Sequence, residues 1–333
     1  MRFTFIDGLR AIAALCVVAF HSTAGDHVPI LFSAMPEAMR TILEHSNAGV
    51  AIFFVISGFV ITHSLAGIEL SLGAVGRFML RRSLRLDPAY WTAIALACLI
   101  LIVKGTPDFS ALQIADHLLY AQDLFGVAPL SPIFWTLCLE VQFYLIFALI
   151  LLSGSQALLL LAFALSLPLS CIPIWQGLFT ELWYGFLLGV GTYCSLQKPG
   201  HGLFFVPFAL CFLALGLFRG DLFMDVCAVT ALLLLYAGVS GRISTWLNWR
   251  AVQFLGAISY SLYLFHNPVT GVTFRAGYAI LGHSAVSEIV VWCASIALSI
   301  CVAAVAWALI ERPSLALSRM VPMRRLGPEV GVA

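Results

Sequence analysis

Apolar residues run through this chain in blocks of about twenty, each bounded by a few polar or turn-forming positions. Twenty residues at 1.5 Å rise cover the roughly 30 Å hydrocarbon core of a bilayer as one helix. The blocks fall at residues 5–24, 47–66, 88–104, 133–152, 156–174, 180–196, 203–218, 224–239, 252–271 and 286–310. The pattern predicts an all-α, polytopic integral membrane protein with about ten transmembrane helices. Asp87-Pro88 and Ser131-Pro132 each set a capping side chain before a proline suited to the first helical position, so helices are predicted to start there. The longest polar stretches, near 25–46, 105–132 and 312–333, are too short to bury a core of their own. Residues 1–333 therefore read as a single membrane-embedded domain.

Composition agrees with this reading. The chain is 62% hydrophobic and 10% charged, with a mean hydropathy of +1.01, against about 45–50% apolar and 25% charged for a soluble domain. A formal net charge of +1 offers no field to attract nucleic acid, and none is expected as a partner. The basic residues instead mark orientation. If the N-terminus is cytoplasmic, the loops on that side hold Arg77, Arg81, Arg82, Arg85, Lys198, Arg242 and Arg250. The two tails add Arg2, Arg312, Arg319, Arg324 and Arg325. The opposite side has only Arg40, Lys104, Arg219 and Arg275. The positive-inside rule then predicts both termini cytoplasmic. Arg2, Arg10 and the run Ser22-Thr23-Ala24-Gly25 also have the outline of a cleavable signal, but the many later spans make one unnecessary. Nine cysteines are scattered singly through apolar segments, without zinc or redox spacing, so no metal is expected.

Chemistry is carried by the few polar residues inside these blocks. An intramembrane charge costs at least about 2.5–3.5 kcal/mol and normally faces a protein interior or a wet cavity. Arg10 and His21 are eleven residues apart in the first block, hence on one helix face and about 16 Å from each other, with Asp7 near the same face. His21 is a candidate general base, or a histidine bonded across the bundle. Asp7 is either an N-cap or a partner of Arg10. The run Arg77 to Arg85 places four guanidinium groups in a loop between two spans. Arg81, Arg82 and Arg85 suit phosphate, against topology and lipid headgroups as the plainer role. Thr136, Glu140 and Tyr144 form a polar stripe at i+4 spacing, and Glu140 is expected to pair with Arg10 or His21. Ser259, Tyr263 and His266 share a face that lines a substrate site or bonds helices together. Ser57, beside Gly58, reads as a close-packing position.

In order along the chain, Asp7-Gly-Leu-Arg10 leading to His21, Gly49 to Thr62 with Phe53-Phe-Val-Ile-Ser-Gly-Phe, and Arg82-Ser-Leu-Arg85 with Pro88 and Tyr90 resemble the acyltransferase 3 family. So do Phe134 to Tyr144, Ser259 to His266 and Glu311-Arg-Pro313. The resemblance implies an acyl donor, usually acetyl-CoA, taken from the cytoplasm, and an acyl group passed to a hydroxyl presented across the membrane. By that analogy Arg82 and Arg85 hold donor phosphates, with Arg81 beside them as a further candidate, Arg10 lines the passage, and His21 is the base or a transient acyl carrier. Glu140 orients or balances the histidine, and Asp7, Ser259, Tyr263 and His266 face the substrate. The chain departs from many relatives in having Val141 where a second carboxylate follows the first. It shows no appended hydrolase-like domain, so transfer is expected to finish in the membrane domain or on a separate partner such as a polysaccharide-assembly protein.

The expected protein is thus an inner-membrane O-acyltransferase with acyl-CoA as donor substrate, no permanently bound cofactor, and a carbohydrate or glycosylated acceptor. A transporter or flippase using the Asp7, Arg10, His21 and Glu140 stripe as a relay is the alternative from another class. A non-catalytic scaffold is the third.

Overall fold

The computed structural model describes residues 3–106, 108–172, 174 and 177–323. Arg2, Arg324 and Arg325, counted above toward the cytoplasmic tails, lie outside the described residues. Among the described residues there is no strand. The α-helices are α1 (Thr4–Thr23), α2 (Pro29–Ala34), α3 (Glu37–Glu44), α4 (Gly49–Leu65), α5 (Leu72–Val103), α6 (Ala111–Leu118), α7 (Trp135–Leu152) and α8 (Gln156–Leu169). They continue as α9 (Trp183–Gln197), α10 (Gly202–Arg219), α11 (Leu222–Val239), α12 (Arg250–Ala257), α13 (Ser259–Leu281), α14 (Ala285–Ala306) and α15 (Arg312–Met320).

Each of the ten apolar blocks carries a helix. Among the described residues, seven segments are long and apolar enough to cross a membrane by length and composition: Thr4–Thr23, Ser46–Leu65, Leu72–Val103, Trp135–Leu152, Gly202–Arg219, Leu222–Val239 and Ala285–Met320. The last joins α14 to α15 through a π-helical turn at Trp307–Glu311. The polarity is inverted relative to a soluble protein. Phe204 and Phe218 on α10 are 80% and 87% exposed, while Ser261, His266, Ser295 and Glu311 are buried. Hydrocarbon surroundings require that arrangement, because no water is present to satisfy outward-facing polar groups.

Two helix starts differ from the sequence reading. α5 begins at Leu72, where Ser71 Oγ accepts from Ala74 N at 3.2 Å, and it runs unbroken through Pro88. The arginine run is therefore on a helix rather than in a loop. An interior proline costs about 3 kcal/mol or more through its missing N–H and its ring clash. Side-chain contacts flank the turn that contains it. Ser83 Oγ donates to the Asp87 carboxylate, Tyr120 Oη donates to it at 2.9 Å, and Tyr90 stacks on Tyr120 with ring centroids 4.5 Å apart. α7 begins at Trp135, three residues after Pro132, and the buried Ser131 hydroxyl makes no cap. The approach to α7 is held by His117, fully buried in the 105–132 connection. Its Nδ1 donates to Gln113 O at 2.8 Å and its Nε2 accepts from Leu130 N at 3.1 Å. Burial pushes this imidazole's pKa down, which favours the neutral ring those bonds need.

α4 is the hub, packed against α1 on one side and against α9 and α11 on the other. The α4–α9 approach depends on glycine. A Cβ at Gly58 would sit 1.9 Å from Phe186 O, and one at Gly189 would sit 1.9 Å from Val55 O. Beside this seam Phe54 stacks on Phe186 and Phe186 on Phe143, at 4.3 and 4.5 Å, so α7 is drawn onto the same pair. Gly58→Ala is expected to destabilise the protein by about 1–3 kcal/mol through overpacking against backbone. Gly271→Ala, on α13 with nothing within 4 Å, is expected to be neutral. Thermal unfolding in detergent checks both, and equal melting of the two variants would refute the close-packing assignment.

Candidate active site

Three helices bring the charged residues together, and two more complete the cavity around them. α1 supplies Arg10, α5 supplies Arg82 and Arg85, α7 supplies Glu140 and α13 supplies Tyr263, and all five line one cavity with Ser57 of α4. Arg85 lies within the fields of Arg10, Arg82 and Glu311. Three guanidinium groups thus share the cavity with one carboxylate, Glu140, while a second, Glu311, acts on Arg85 from outside the lining and is anchored by a 2.7 Å bond from Ser261 Oγ. Arg82 sits over the Tyr144 ring, 4.4 Å from its centroid, a cation–π contact that fixes the guanidinium without consuming its N–H groups. Its Nε is buried and has no hydrogen-bond partner. An unused donor on a buried cation is a place for an anionic ligand.

Glu140 does not follow the expected pairing. Its Oε1 accepts from both Ser57 Oγ and Tyr144 Oη. Ser57 therefore has a polar role that its neighbour Gly58 hid in the sequence. Tyr263 Oη donates to Ile133 O at 2.9 Å and lies 2.6 Å from Thr136 Oγ1, tying α13 to the start of α7. Tyr260 Oη donates to Leu86 O at 3.0 Å and ties α13 to α5.

A second cavity, of about 290 Å³, adjoins the first through Arg82 and Arg85. It adds Arg81 and His63, and from α15 it adds Ser318 and Arg319. Arg81 Nε donates to Ser318 O at 3.2 Å, so α5 and α15 close on each other around the basic space. Arg319 was legible in the sequence only as a topological charge. Nothing local connects it to Arg81, more than two hundred residues earlier.

His21 lies beyond the arginine cavity, about 16 Å along α1 from Arg10. Its ring lies beside that of His266, with centroids 5.2 Å apart and planes tilted by 46°. His266 is fully buried, and its Nδ1 donates to Tyr263 O at 2.7 Å and Leu262 O at 3.0 Å. That leaves Nε2 as a bare acceptor, and it is buried without a partner. His266 is one turn past Tyr263, so the imidazole pair continues the line of the arginine cavity.

Asp7 and Ser259 sit apart from both cavities. Asp7 is in the first turn of α1, whose N-cap is Phe3, so it is not the cap. Its backbone meets α12, where a Cβ at Gly256 would lie 2.1 Å from Asp7 O. Ser259 is fully buried and donates to Gly256 O at 2.9 Å. Among the described residues no group of three His, Cys, Asp or Glu side chains could hold a metal ion.

Comparison with known proteins follows the same lines. The chain is 27% identical to YrhL of Bacillus subtilis (strain 168), provisionally named a peptidoglycan O-acetyltransferase, over 79% of this chain and 48% of that protein. It is 25% identical to peptidoglycan O-acetyltransferase OatA of Listeria monocytogenes serovar 1/2a, over 80% of this chain and 49% of that protein. It is 31% identical to nodulation protein 10 of Rhizobium leguminosarum bv. viciae, over 30% of this chain and 32% of that protein. The chain spans about half the length of the first two relatives. No solved structure matches it. The family defined by the acyltransferase domain matches residues 3–308, from the start of α1 into the π turn before α15. With that match over nearly the whole chain, on the same Arg10, His21, Arg82, Arg85 and Glu140 segments that surround the cavities, the chain belongs to the acyltransferase 3 family.

Proposed function

We propose that the chain is a multi-pass O-acyltransferase of the cell (inner) membrane, with ten spans and both ends cytoplasmic. It moves an acyl group, acetyl in the simplest case, from acyl-CoA to a sugar hydroxyl of a surface polysaccharide, lipid-linked glycan or glycosylated small molecule. One observation carries this reading. A line of guanidinium groups, Arg319, Arg81, Arg82, Arg85 and Arg10, leads to a pair of neighbouring imidazoles, His21 and His266, about 16 Å beyond Arg10. A coenzyme A thioester has the matching shape, with phosphates at one end, the reactive carbonyl at the other and an extended pantetheine arm between. The names of the two peptidoglycan O-acetyltransferases support oxygen as the acceptor atom and a glycan as its carrier.

In this reading Arg81, Arg82 and Arg85 grip the donor phosphates, and the free Nε of Arg82 supplies a charge-assisted bond. Arg10 lines the passage, and Glu140, held by Ser57 and Tyr144, limits the net positive charge. At the far end neutral His21 takes the proton from the acceptor hydroxyl as its oxygen bonds to the thioester carbonyl carbon. The carbon–sulfur bond then breaks, and His21 returns the proton to the departing sulfur of CoA. His266 is a positioning residue. With Nδ1–H committed to backbone, its unpartnered Nε2 is the acceptor that can take a hydrogen bond from one nitrogen of His21 in the reacting complex and leave the other as the base.

His21→Ala is expected to lower transfer by about 10²–10⁴-fold while the protein stays folded. The measurement is release of free CoA from acetyl-CoA by purified protein in nanodiscs supplied with cell-envelope extract. Undiminished turnover by the variant removes His21 from the chemistry, and no turnover by the wild type over several acyl donors rejects acyl transfer. Replacing Arg82 and Arg85 together by Ala is expected to raise the donor KM at least tenfold, each lost charge-assisted bond being worth about 1.5–3 kcal/mol. An unchanged donor dependence would sink the phosphate assignment. His266→Phe is expected to lower kcat without moving the donor KM, and His266→Gln, which keeps an acceptor, to recover part of the loss. Equal loss in the two would mark the ring as packing alone.

A further inference from the structure

A third cavity lies at the opposite end of α1 from the arginines, between the last turn of that helix and the α2–α3 excursion. Its volume is about 460 Å³, within the range of small-ligand sites. Its chemistry contrasts with the basic cavity, which is lined by four arginines and no carboxylate. Here one cation, Arg40, faces two carboxylates, Asp26 and Glu44, and the aromatic side chains of Phe20 and Phe32 border the same space. Arg40 Nε is buried and unpartnered. The lining leads to His21 through Phe20, which precedes it in the chain and whose ring centroid lies 5.1 Å from that of the His21 ring.

The walls are held in place rather than loosely draped. Glu288 of α14, 1% exposed, accepts from Ile30 N at 3.2 Å and Leu31 N at 2.7 Å and so caps the start of α2. Tyr278 Oη donates to His27 O, and His27 stacks on Phe274 with centroids 4.6 Å apart and planes 6° apart. Trp292 Nε1 donates to Ser22 Oγ at 2.9 Å. A polar excursion anchored this firmly to α13 and α14 preserves a shaped space beside His21.

We propose that this cavity is the acceptor site and that it takes a neutral sugar unit, a claim that rests on the acyl-transfer reading above. The net charge of its lining is negative, which disfavours phosphates and the CoA donor. Carboxylates accept from sugar hydroxyls, a guanidinium donates to the ring and hydroxyl oxygens, and an aromatic face covers the carbon side of a pyranose. The sugar then reaches His21 from the end opposite the donor, so the two substrates meet at the imidazole pair.

The test uses the full chain in nanodiscs with radiolabelled acetyl-CoA and increasing amounts of cell-envelope glycan extract, following label transferred and CoA released. Arg40→Ala and Phe32→Ala are expected to raise the half-saturating amount of extract about tenfold or more, with the donor KM in place. Glu44→Gln, which keeps an acceptor oxygen, is expected to do so less than Glu44→Ala. Arg275→Ala, outside the cavity, is expected to change neither quantity. An unmoved extract dependence in the Arg40 and Phe32 variants overturns the proposal, as does a donor KM that rises in step. Labelled product that carries no sugar by mass spectrometry overturns it too, while leaving acyl transfer standing. A wild type that releases no CoA rejects the acyl-transfer reading itself.

Discussion

Positive charge inside an apolar bundle is the constraint from which most of this architecture follows. Arg10, Arg82 and Arg85 share one cavity in a protein whose outer surface is hydrocarbon-like, and like charges at such range repel strongly where the dielectric is low. They persist because other helices deliver compensation to the same place: Glu140 from α7, Glu311 from the π turn, and the Tyr144 ring beneath Arg82. Each compensating group is itself fixed by a second polar contact, Ser57 to Glu140 and Ser261 to Glu311. Five helices are thereby committed to one polar centre. The glycine seam between α4 and α9 and the phenylalanine stack beside it hold the scaffold on which α4 presents Ser57.

Along α1 the polar spaces are arranged by charge. The mixed arginine and carboxylate cavity, the imidazole pair and the acidic-leaning cavity succeed one another along the helix, and the basic cavity adjoins the first of them through Arg82 and Arg85 of α5. One helix of twenty residues therefore touches three of these stations, through Arg10, His21 and Phe20, which fits a sequence that reads as an apolar span interrupted at two positions eleven apart. Two substrates of unlike charge can approach such a line from opposite ends without competing for the same contacts.

Much of this was legible in the sequence, and the reason is periodicity. The ten apolar blocks, the shared face of Arg10 and His21, and the polar stripe through Glu140 are all local patterns that hydrocarbon surroundings leave unambiguous. What escaped was either long-range or a case of one local rule overriding another. Asp87-Pro88 looks like a helix start, yet α5 passes through it, with the Asp87 carboxylate taken up by Ser83 and Tyr120 instead of capping. Ser57 meets Glu140 across two helices, and Arg319 closes on a cavity whose other wall is Arg81. No window of sequence contains such pairs. Asp7 and Ser259 are outside the lining of both arginine-bearing cavities: the Asp7 backbone oxygen is at the α1–α12 approach, and the Ser259 hydroxyl donates to Gly256 O.

The π turn at Trp307–Glu311 does for α14 and α15 what no side chain could do. On α14 the buried positions Ser299, Ala303 and Ala306 mark one stripe, and on α15 the buried positions Ser314 and Ser318 mark another. In a continuous α-helix these stripes would diverge by roughly 100°, the angle of one residue. A π turn accommodates one residue more than the α-helical count, and the phase error vanishes. Glu311, Ser314 and Ser318 consequently stay aligned with the inner face above them. The segment is therefore governed by arithmetic more than by composition. Exchange of its exposed Leu309 leaves the phase intact, whereas loss of a single residue anywhere in the turn would rotate Arg319 away from the guanidinium cluster.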